Sequence, residues 1–482
     1  MTLLQNTSIF TILIIIIIYN IIIINNNHII YAKNEDSSSS SSSNHQYKTT
    51  QKHDKLYRGL YLGWLGKYNE GDEAMYHVAS ELFANVGINM GISVTLFPFK
   101  PPLTCHLFHL TLTSYDFIIH GGGSILGSPE YQCILKQSTE LGIPTIVFGT
   151  GWEASDSTGG KRLLQYFQQQ NVGFNIEMNE DVANRHIIAI KSYQYGGFRG
   201  IYTKTIADLL YPNHGLDIIG DSGILSKRLM NSYSNTLNNG INIKEDHEEE
   251  QQRRRRRNTK WNITPLTNDL PIIAINYGQN HPDDPAIFHS STETLFTSFV
   301  DLGASLVKYG YNVIYYSMSA DDLQFVGNLY TKTFDVLNAI NMQDDVDLDF
   351  NIKDRVHILK YVPDTINILE LLSDSYFSIN YKLHGNVLSA SVGTPFICVA
   401  YHLKSMEFAR FIDVSIETKY SIRSDFIDSA NSFEAALEAL HTDGEMERYT
   451  QLLNEKISVT NLKYNDMIMN VLKDVVLRRL DK

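Results

Sequence analysis

Between residues 57 and 413, short continuous apolar runs alternate with stretches in which apolar residues recur every three or four positions. The runs predict parallel strands buried on both faces, and the periodic stretches predict helices packed over them. Gly59–Trp64, Ser93–Phe97, Asp116–Ile119 and Pro144–Gly149 read as strands. Ala74, Met75, Val78, Ala79, Leu82 and Phe83 fall on one helix face. Ile187–Ile190 and Asp217–Gly220 read as the strands that complete a first unit. The pattern then restarts, with strands at Pro271–Tyr277, Tyr311–Ser317, Val356–Tyr361, Tyr376–Asn380 and Pro395–Tyr401 and helices at Leu295–Val307 and Ile366–Leu372. The expected fold is α/β: two Rossmann-like domains, 57–230 and 265–413, facing a cleft and followed by a helical segment over 414–482.

Three segments break this pattern. Residues 9–24 run through isoleucine, leucine and phenylalanine, with Asn20 as the main interruption. That length falls between a signal-peptide core of ~7–15 residues and a spanning helix of ~20. Residues 1–32 are therefore expected to be a signal anchor, with a cleaved signal peptide as the alternative; Met1–Ser8 carries no Lys or Arg to set an orientation. Either reading sends the rest of the chain into the secretory lumen. The expected location is the Golgi or another secretory-pathway membrane, single-pass with a luminal domain, or outside the cell if the segment is cleaved. Asn262-Ile263-Thr264 is then a usable glycosylation acceptor. Residues 33–56, centred on the serine run Ser37–Ser43, cannot bury enough apolar surface to offset ordering entropy and read as a disordered stalk. Residues 231–264 set the acidic run Glu245–Glu250 beside Arg253–Arg257, opposite blocks that read as a solvated insert.

Composition narrows the function. A chain of 482 residues, 43% hydrophobic and 19% charged, is long enough for two cores. Its formal net charge of -13 excludes a general nucleic-acid binder, which needs a basic face to displace counterions from phosphates. Three cysteines (Cys105, Cys133 and Cys398) exclude a disulfide framework, and no CxxC pair or Cys/His spacing suggests structural zinc.

In such folds ligands gather beyond the carboxyl ends of strands, and the chemistry-bearing residues lie there. Asn69-Glu70-Gly71-Asp72-Glu73-Ala74 opens a helix with acids that offset its positive end. Gly121-Gly122-Gly123-Ser124 follows a strand and lets backbone N–H groups approach an anion, although it also makes a tight turn. It lacks the Lys-Ser/Thr of a phosphate-binding Walker loop and is not GxGxxG. Arg199, in Phe198-Arg199-Gly200-Ile201-Tyr202-Thr203, is a candidate for two-pronged carboxylate or phosphate binding, with Gly220-Asp221-Ser222-Gly223 downstream. Lys382-Leu383-His384-Gly385 puts a cation and a titratable imidazole at a helix start. Gly393-Thr394-Pro395, the strand after it, and Tyr401 to Lys404 complete the set.

In that order and at that spacing, these motifs resemble the polysaccharide pyruvyl transferases, over Tyr57–Asp413. The resemblance implies a GT-B-like pair of domains and transfer of pyruvate from phosphoenolpyruvate onto two hydroxyls of a glycan, forming a cyclic ketal. The partners it implies are that donor and a glycan acceptor, with no nucleic acid, no metal and no further cofactor; membrane contact is expected through the N-terminal segment. It implies that Arg199 and Lys382 hold the donor's anionic groups and that His384 is the acid that protonates its methylene carbon. Leu383, Gly121, Gly122, Gly123, Ser124, Asn69, Asp72 and Lys404 would contribute to substrate binding. One position departs from the family, which usually has Arg where this chain has Lys382; lysine keeps the charge and loses the planar grip. Two other readings use the same fold. A nucleotide-sugar glycosyltransferase would need an acidic residue for ribose, and none is evident after the Tyr376–Asn380 strand. A non-catalytic glycan-binding descendant is favoured by the Lys382 change and opposed by the retained His384 and Arg199; convergence of Arg199, Lys382 and His384 beside Gly121–Gly123 would separate it from the transferase.

Overall fold

A computed structural model describes residues 55–66, 69–99, 112–152, 178–231, 270–278, 291–343, 352–359, 365–413 and 420–480. The expected anchor, nearly all of the stalk and the insert beyond Asn231 lie outside these residues, as does Asn262. Among the described residues no helix is long and apolar enough to cross a membrane.

The described chain forms two six-stranded sheets in which every pairing is parallel. The first runs β2-β1-β3-β4-β5-β6: β1 Leu56–Leu62, β2 Ser93–Pro98, β3 Phe117–His120, β4 Thr145–Thr150, β5 Tyr195–Phe198 and β6 Asp217–Ile218. Its helices are α1 (Glu70–Asn89), α2 (Pro129–Glu140), α3 (Glu180–Ser192) and α4 (Ile201–Leu210). The second runs β12-β11-β10-β7-β8-β9: β7 Ile272–Asn276, β8 Asn312–Tyr316, β9 Val356–Ile358, β10 Phe377–Asn380, β11 Phe396–Ala400 and β12 Ser421–Arg423. Its helices are α5 (Thr292–Lys308), α6 (Leu323–Gln343), α7 (Thr365–Asp374), α8 (Leu383–Val392), α9 (Leu403–Phe411) and α10 (Glu434–Leu440), before the long α11 (Glu445–Leu480). Every residue of β3, β4, β8, β10 and β11 is buried, as strands covered on both faces require.

Each sheet has one place where the strand order reverses. In the first, the chain leaves β1 for β2 on one side and β3 on the other; in the second, β7 lies between β8 and β10. Crevices that bind ligands open at the carboxyl ends of such strand pairs.

Two expectations are corrected. Ile187–Ile190 lies in α3, not in a strand. Asn179 caps that helix by accepting the Asp181 N–H at 2.9 Å, and Glu180 and Asp181 sit in its first turn, so the four apolar residues belong to a helix begun upstream. The strand is Tyr195–Phe198, in which Gly196 takes a positive φ of 104° with its missing Cβ facing the Val147 carbonyl. In the segment after Asp413, the described residues 420–480 are mostly helical and also supply β12, the sixth strand of its sheet.

The two sheets are held together by contacts from distant parts of the chain. Asn69 bridges to Ser319, the Glu70 N–H donates to the Met318 carbonyl at 3.1 Å, and Thr365 Oγ1 donates to Glu70 Oε2 at 3.0 Å. Helix α1 packs on α7 and α8. Helix α11 then runs back across both halves: Tyr449 Oη donates to the Phe396 carbonyl in the second sheet, and Tyr464 Oη donates to the Gly220 carbonyl in the first, each at 2.9 Å. Cys133 is disulfide-bonded, and Cys398 is a free, buried thiol.

Candidate active site

The loops at the two reversal points meet. After β10 the chain turns through Tyr381 into α8, for which Lys382 is the N-cap, so His384 stands in the first helical turn. Polar groups buried at the end of β10 hold this turn. Tyr316 Oη donates to Asn380 Oδ1 at 2.7 Å, and Asn380 Nδ2 donates to Ser378 Oγ and Ser389 Oγ at 2.9 and 3.1 Å. From the paired strand β7, Asn276 Oδ1 accepts the Lys382 N–H at 3.0 Å. Such satisfied networks fix one geometry, because each group would be costly to leave unpaired in the interior.

His384 reaches across to the loop that follows the first strand of the first sheet. Its Nδ1 lies 3.0 Å from Asn69 Oδ1, and a Cβ on Gly71 would overlap the imidazole ring. With Nδ1–H donated to the amide oxygen, Nε2 carries the lone pair; it is buried and has no hydrogen-bond partner. Burial, and after it the charges of Lys404, Arg199 and Lys382, push the imidazole pKa down to about 3. His384 is therefore neutral in the ligand-free protein.

Around it stand the three cations. Arg199, fully buried, follows β5; its Nε donates to Glu407 Oε2 at 3.0 Å and its Nη1 to Ser124 Oγ at 3.2 Å, leaving Nη2 buried without a partner. Lys382 Nζ lies 3.5 Å from Asp322 Oδ1. Lys382 and Lys404 both approach the Tyr401 ring, at 5.9 and 5.8 Å from its centroid. Tyr401 is in turn stacked on Tyr381 at 4.5 Å.

The triple glycine is explained by packing. A Cβ on Gly121 would strike the Tyr61 ring and one on Gly122 the Met75 sulfur, while Gly123 takes a φ of 87° with the Asp72 carboxylate 2.9 Å from where its Cβ would be. Asp72 and Asp221 are both buried carboxyls near the site. Burial and then Asp221 raise the Asp72 pKa well above the usual carboxylate range, against the pull of Lys404 and Arg199. Burial also raises Asp221, against Arg199 and the Gly223 N–H that its Oδ1 accepts at 2.9 Å. Leu383 packs into the apolar core. Among the described residues, no group of three or more His, Cys, Asp or Glu is arranged to hold a metal.

Arg199, Lys382, His384, Lys404, Asn69, Asp72 and Ser124 thus converge beside Gly121–Gly123. A family profile for polysaccharide pyruvyl transferase matches residues 14–402. The chain belongs to the polysaccharide pyruvyl transferase family. No curated protein matches it in sequence. Solved structures with a similar arrangement include a glycosyltransferase from Rickettsia africae, with 10% identity, 87% of this chain and 99% of that chain covered and a TM-score of 0.48. Another is the α,α-trehalose 6-phosphate synthase from Burkholderia multivorans, with 9% identity, 88% and 99% covered and 0.48. A third is a UDP-GlcNAc 2-epimerase from Neisseria meningitidis bound to UDP-GlcNAc, with 11% identity, 89% and 100% covered and 0.44.

Four residues of the site escaped sequence reasoning. Glu407, Asp322 and Asn276 have no role in the sequence reading, and Asp221 stands there only within the Gly220–Gly223 motif downstream of Arg199. Glu407 carried a faint signal: Met406, Phe408 and Ala409 on either side are all apolar, and an acid buried among them needs a cation. The broad surface groove of about 1040 Å³ beside Tyr376, Gly393 and Asn454 lies at the amino ends of β10 and β11, away from this cluster.

Proposed function

We propose that this chain transfers pyruvate from phosphoenolpyruvate to two hydroxyls of a glycan as a cyclic ketal. The observation that carries the reading is the unpartnered, buried Nε2 of His384, set among Arg199, Lys382 and Lys404 where the two strand reversals meet. Those cations suit a donor bearing a phosphate and a carboxylate. The donor's charge opposes the field that depresses His384, so donor binding raises the proton affinity of the imidazole and prepares it as an acid.

His384 Nε2–H delivers a proton to the methylene carbon of the donor, making a methyl group and an electrophilic C2. One sugar hydroxyl forms a C–O bond at C2, the C2–O bond to phosphate breaks, and a second hydroxyl closes the ketal. Of the two hydroxyl protons, one replaces that given by His384 and the other leaves with inorganic phosphate. Fixed cations and N–H donors aimed at the departing phosphate supply electrostatic stabilisation in a site screened from water. The GT-B-like arrangement belongs to the same reading.

A luminal location fits the disulfide at Cys133, since such bonds persist in oxidising compartments. The proposal therefore keeps the expected N-terminal anchor and secretory-pathway membrane.

The test incubates the full-length protein with phosphoenolpyruvate and a panel of galactose- and mannose-terminated glycans, following phosphate release and product mass. A pyruvylated glycan formed with acceptor-dependent phosphate release is expected. His384→Ala should lower kcat about 10²–10⁴-fold, the usual worth of a positioned acid, with donor binding retained. Absence of donor binding to the wild type sinks the reading.

A further inference from the structure

The segment Arg199-Gly200-Ile201-Tyr202-Thr203 does more than present an arginine. Gly200 is the N-cap of α4 and has no side chain to offer the exposed N–H groups of the first turn. The Glu407 carboxylate, arriving on α9 from the other domain, takes that place. Its Oε1 accepts the Thr203 N–H at 2.7 Å and its Oε2 accepts Arg199 Nε–H at 3.0 Å. Both side chains are essentially inaccessible, at 0% for Arg199 and 1% for Glu407. The glycines are cut to fit: a Cβ on Gly200 would overlap Glu407 Cγ, and one on Gly151 would overlap the guanidinium carbon. Thr203 Oγ1 accepts the Trp152 N–H at 2.9 Å, tying the cradle to the β4 loop.

A guanidinium held at Nε by Glu407 and at Nη1 by Ser124 cannot turn about its side-chain bonds. One nitrogen, Nη2, is left buried and unsatisfied. A buried charged N–H without a partner is costly, and the cost is recovered when an anion arrives. The two holding groups come from different domains, so the aim of Nη2 depends on the domains being together.

We propose that Glu407 is a positioning residue: it aims Arg199 Nη2 at an anionic group of the donor and makes capture of that anion depend on the meeting of the two domains. The inference rests on the donor reading above. Glu407 touches neither donor nor acceptor and acts through Arg199 alone.

The test compares the full-length wild type, Glu407→Gln, Arg199→Lys and the double variant, measuring phosphoenolpyruvate binding by calorimetry and steady-state kinetics with each substrate varied. Glu407→Gln keeps an oxygen for the Thr203 N–H and turns an N–H against Arg199. Its donor Kd and KM should rise at least tenfold, with kcat and acceptor KM within about threefold of wild type. A merely structural role would instead lower the active fraction, moving kcat and leaving both KM values alone. In the double variant the loss should be close to that of Arg199→Lys alone, because one effect passes through the other. Equal donor affinity in wild type and Glu407→Gln overturns the proposal, as does additivity of the two losses. Should Glu407→Gln fail to fold, Glu407→Asp carries the same test: the shorter carboxylate can reach Thr203 or Arg199 but not both, and unchanged donor affinity again overturns the idea. A wild type that binds no phosphoenolpyruvate removes the donor reading and this proposal with it, which separates that failure from the others.

Discussion

Gly71 has its α-hydrogen against the imidazole of His384, and no room for a methyl group. Gly71→Ala should therefore displace His384 from Asn69 and cost at least tenfold in kcat, with about 1–3 kcal/mol of overpacking that the helix preference of alanine offsets only in part. Paired activity and melting measurements check this. A second residue gives a pH signature. His120 is wholly buried on β3, with Nδ1 2.6 Å from Tyr193 Oη, and burial pushes its pKa from 6.5 down to about 3. Between those values the unfolded chain binds a proton that the folded protein refuses, so stability falls as pH drops through that window, by about 1.4 kcal/mol per pH unit for such a group. His384 acts in the same direction. The raised carboxyls Asp72 and Asp221 act oppositely: the folded state holds their protons above 3.8, so their contribution fades as pH rises through their folded values. His120→Gln should flatten the acid limb of stability relative to wild type, read from urea midpoints at several pH values. The motifs that carry these residues were legible because glycine, lysine, histidine and arginine after strands are chemically unusual. The partners were not, because Glu407 lies 208 positions from Arg199 and nothing local marks the pair.

Helix α11 shows what pattern can and cannot say about an element. Its helical character is readable from its apolar spacing, but its path is not. The same 36-residue rod buries Tyr449 and Leu453 under the second sheet and Tyr464, Ile468, Val471, Leu472 and Val475 under the first. Phe148 of β4 meets the Tyr464 ring at 4.5 Å, and Arg479 Nη2 donates to Asp116 Oδ2 at 3.0 Å just ahead of β3. Ile468→Ala should thus destabilise the first domain, although it lies far beyond that domain's sequence. Truncating a fully buried isoleucine costs about 2–5 kcal/mol, measurable as a lower denaturation midpoint with unchanged slope. The exchange of Ile187–Ile190 for Tyr195–Phe198 as a strand has a similar origin. Four apolar residues fit either period, and the two glycines that let β5 lie close against its neighbours remove the side chains by which a strand is recognised.

At the scale of the whole molecule, loops from two sheets meet at His384 and Asn69, and on the proposed reading donor binding draws on both. Phosphoenolpyruvate at a hundred times its Kd should stabilise the folded protein by about 2.7 kcal/mol. Calorimetry should show this as a rise in melting temperature that Arg199→Lys reduces. An unchanged melting temperature at saturating donor would remove the binding site from this cluster. Local chemistry along the chain determined a good deal of this protein: the alternation of buried strand and amphipathic helix, the restart after the polar insert, and the placing of cations and imidazole just past strand ends. These follow from side-chain periodicity and backbone freedom, which act over a few residues. Only the tertiary structure decided which loops meet. It put Asn69 on His384 and Glu407 on Arg199, and it left His384 neutral, because burial and the field of three cations depend on groups that are far apart in the chain and close only once both domains have folded.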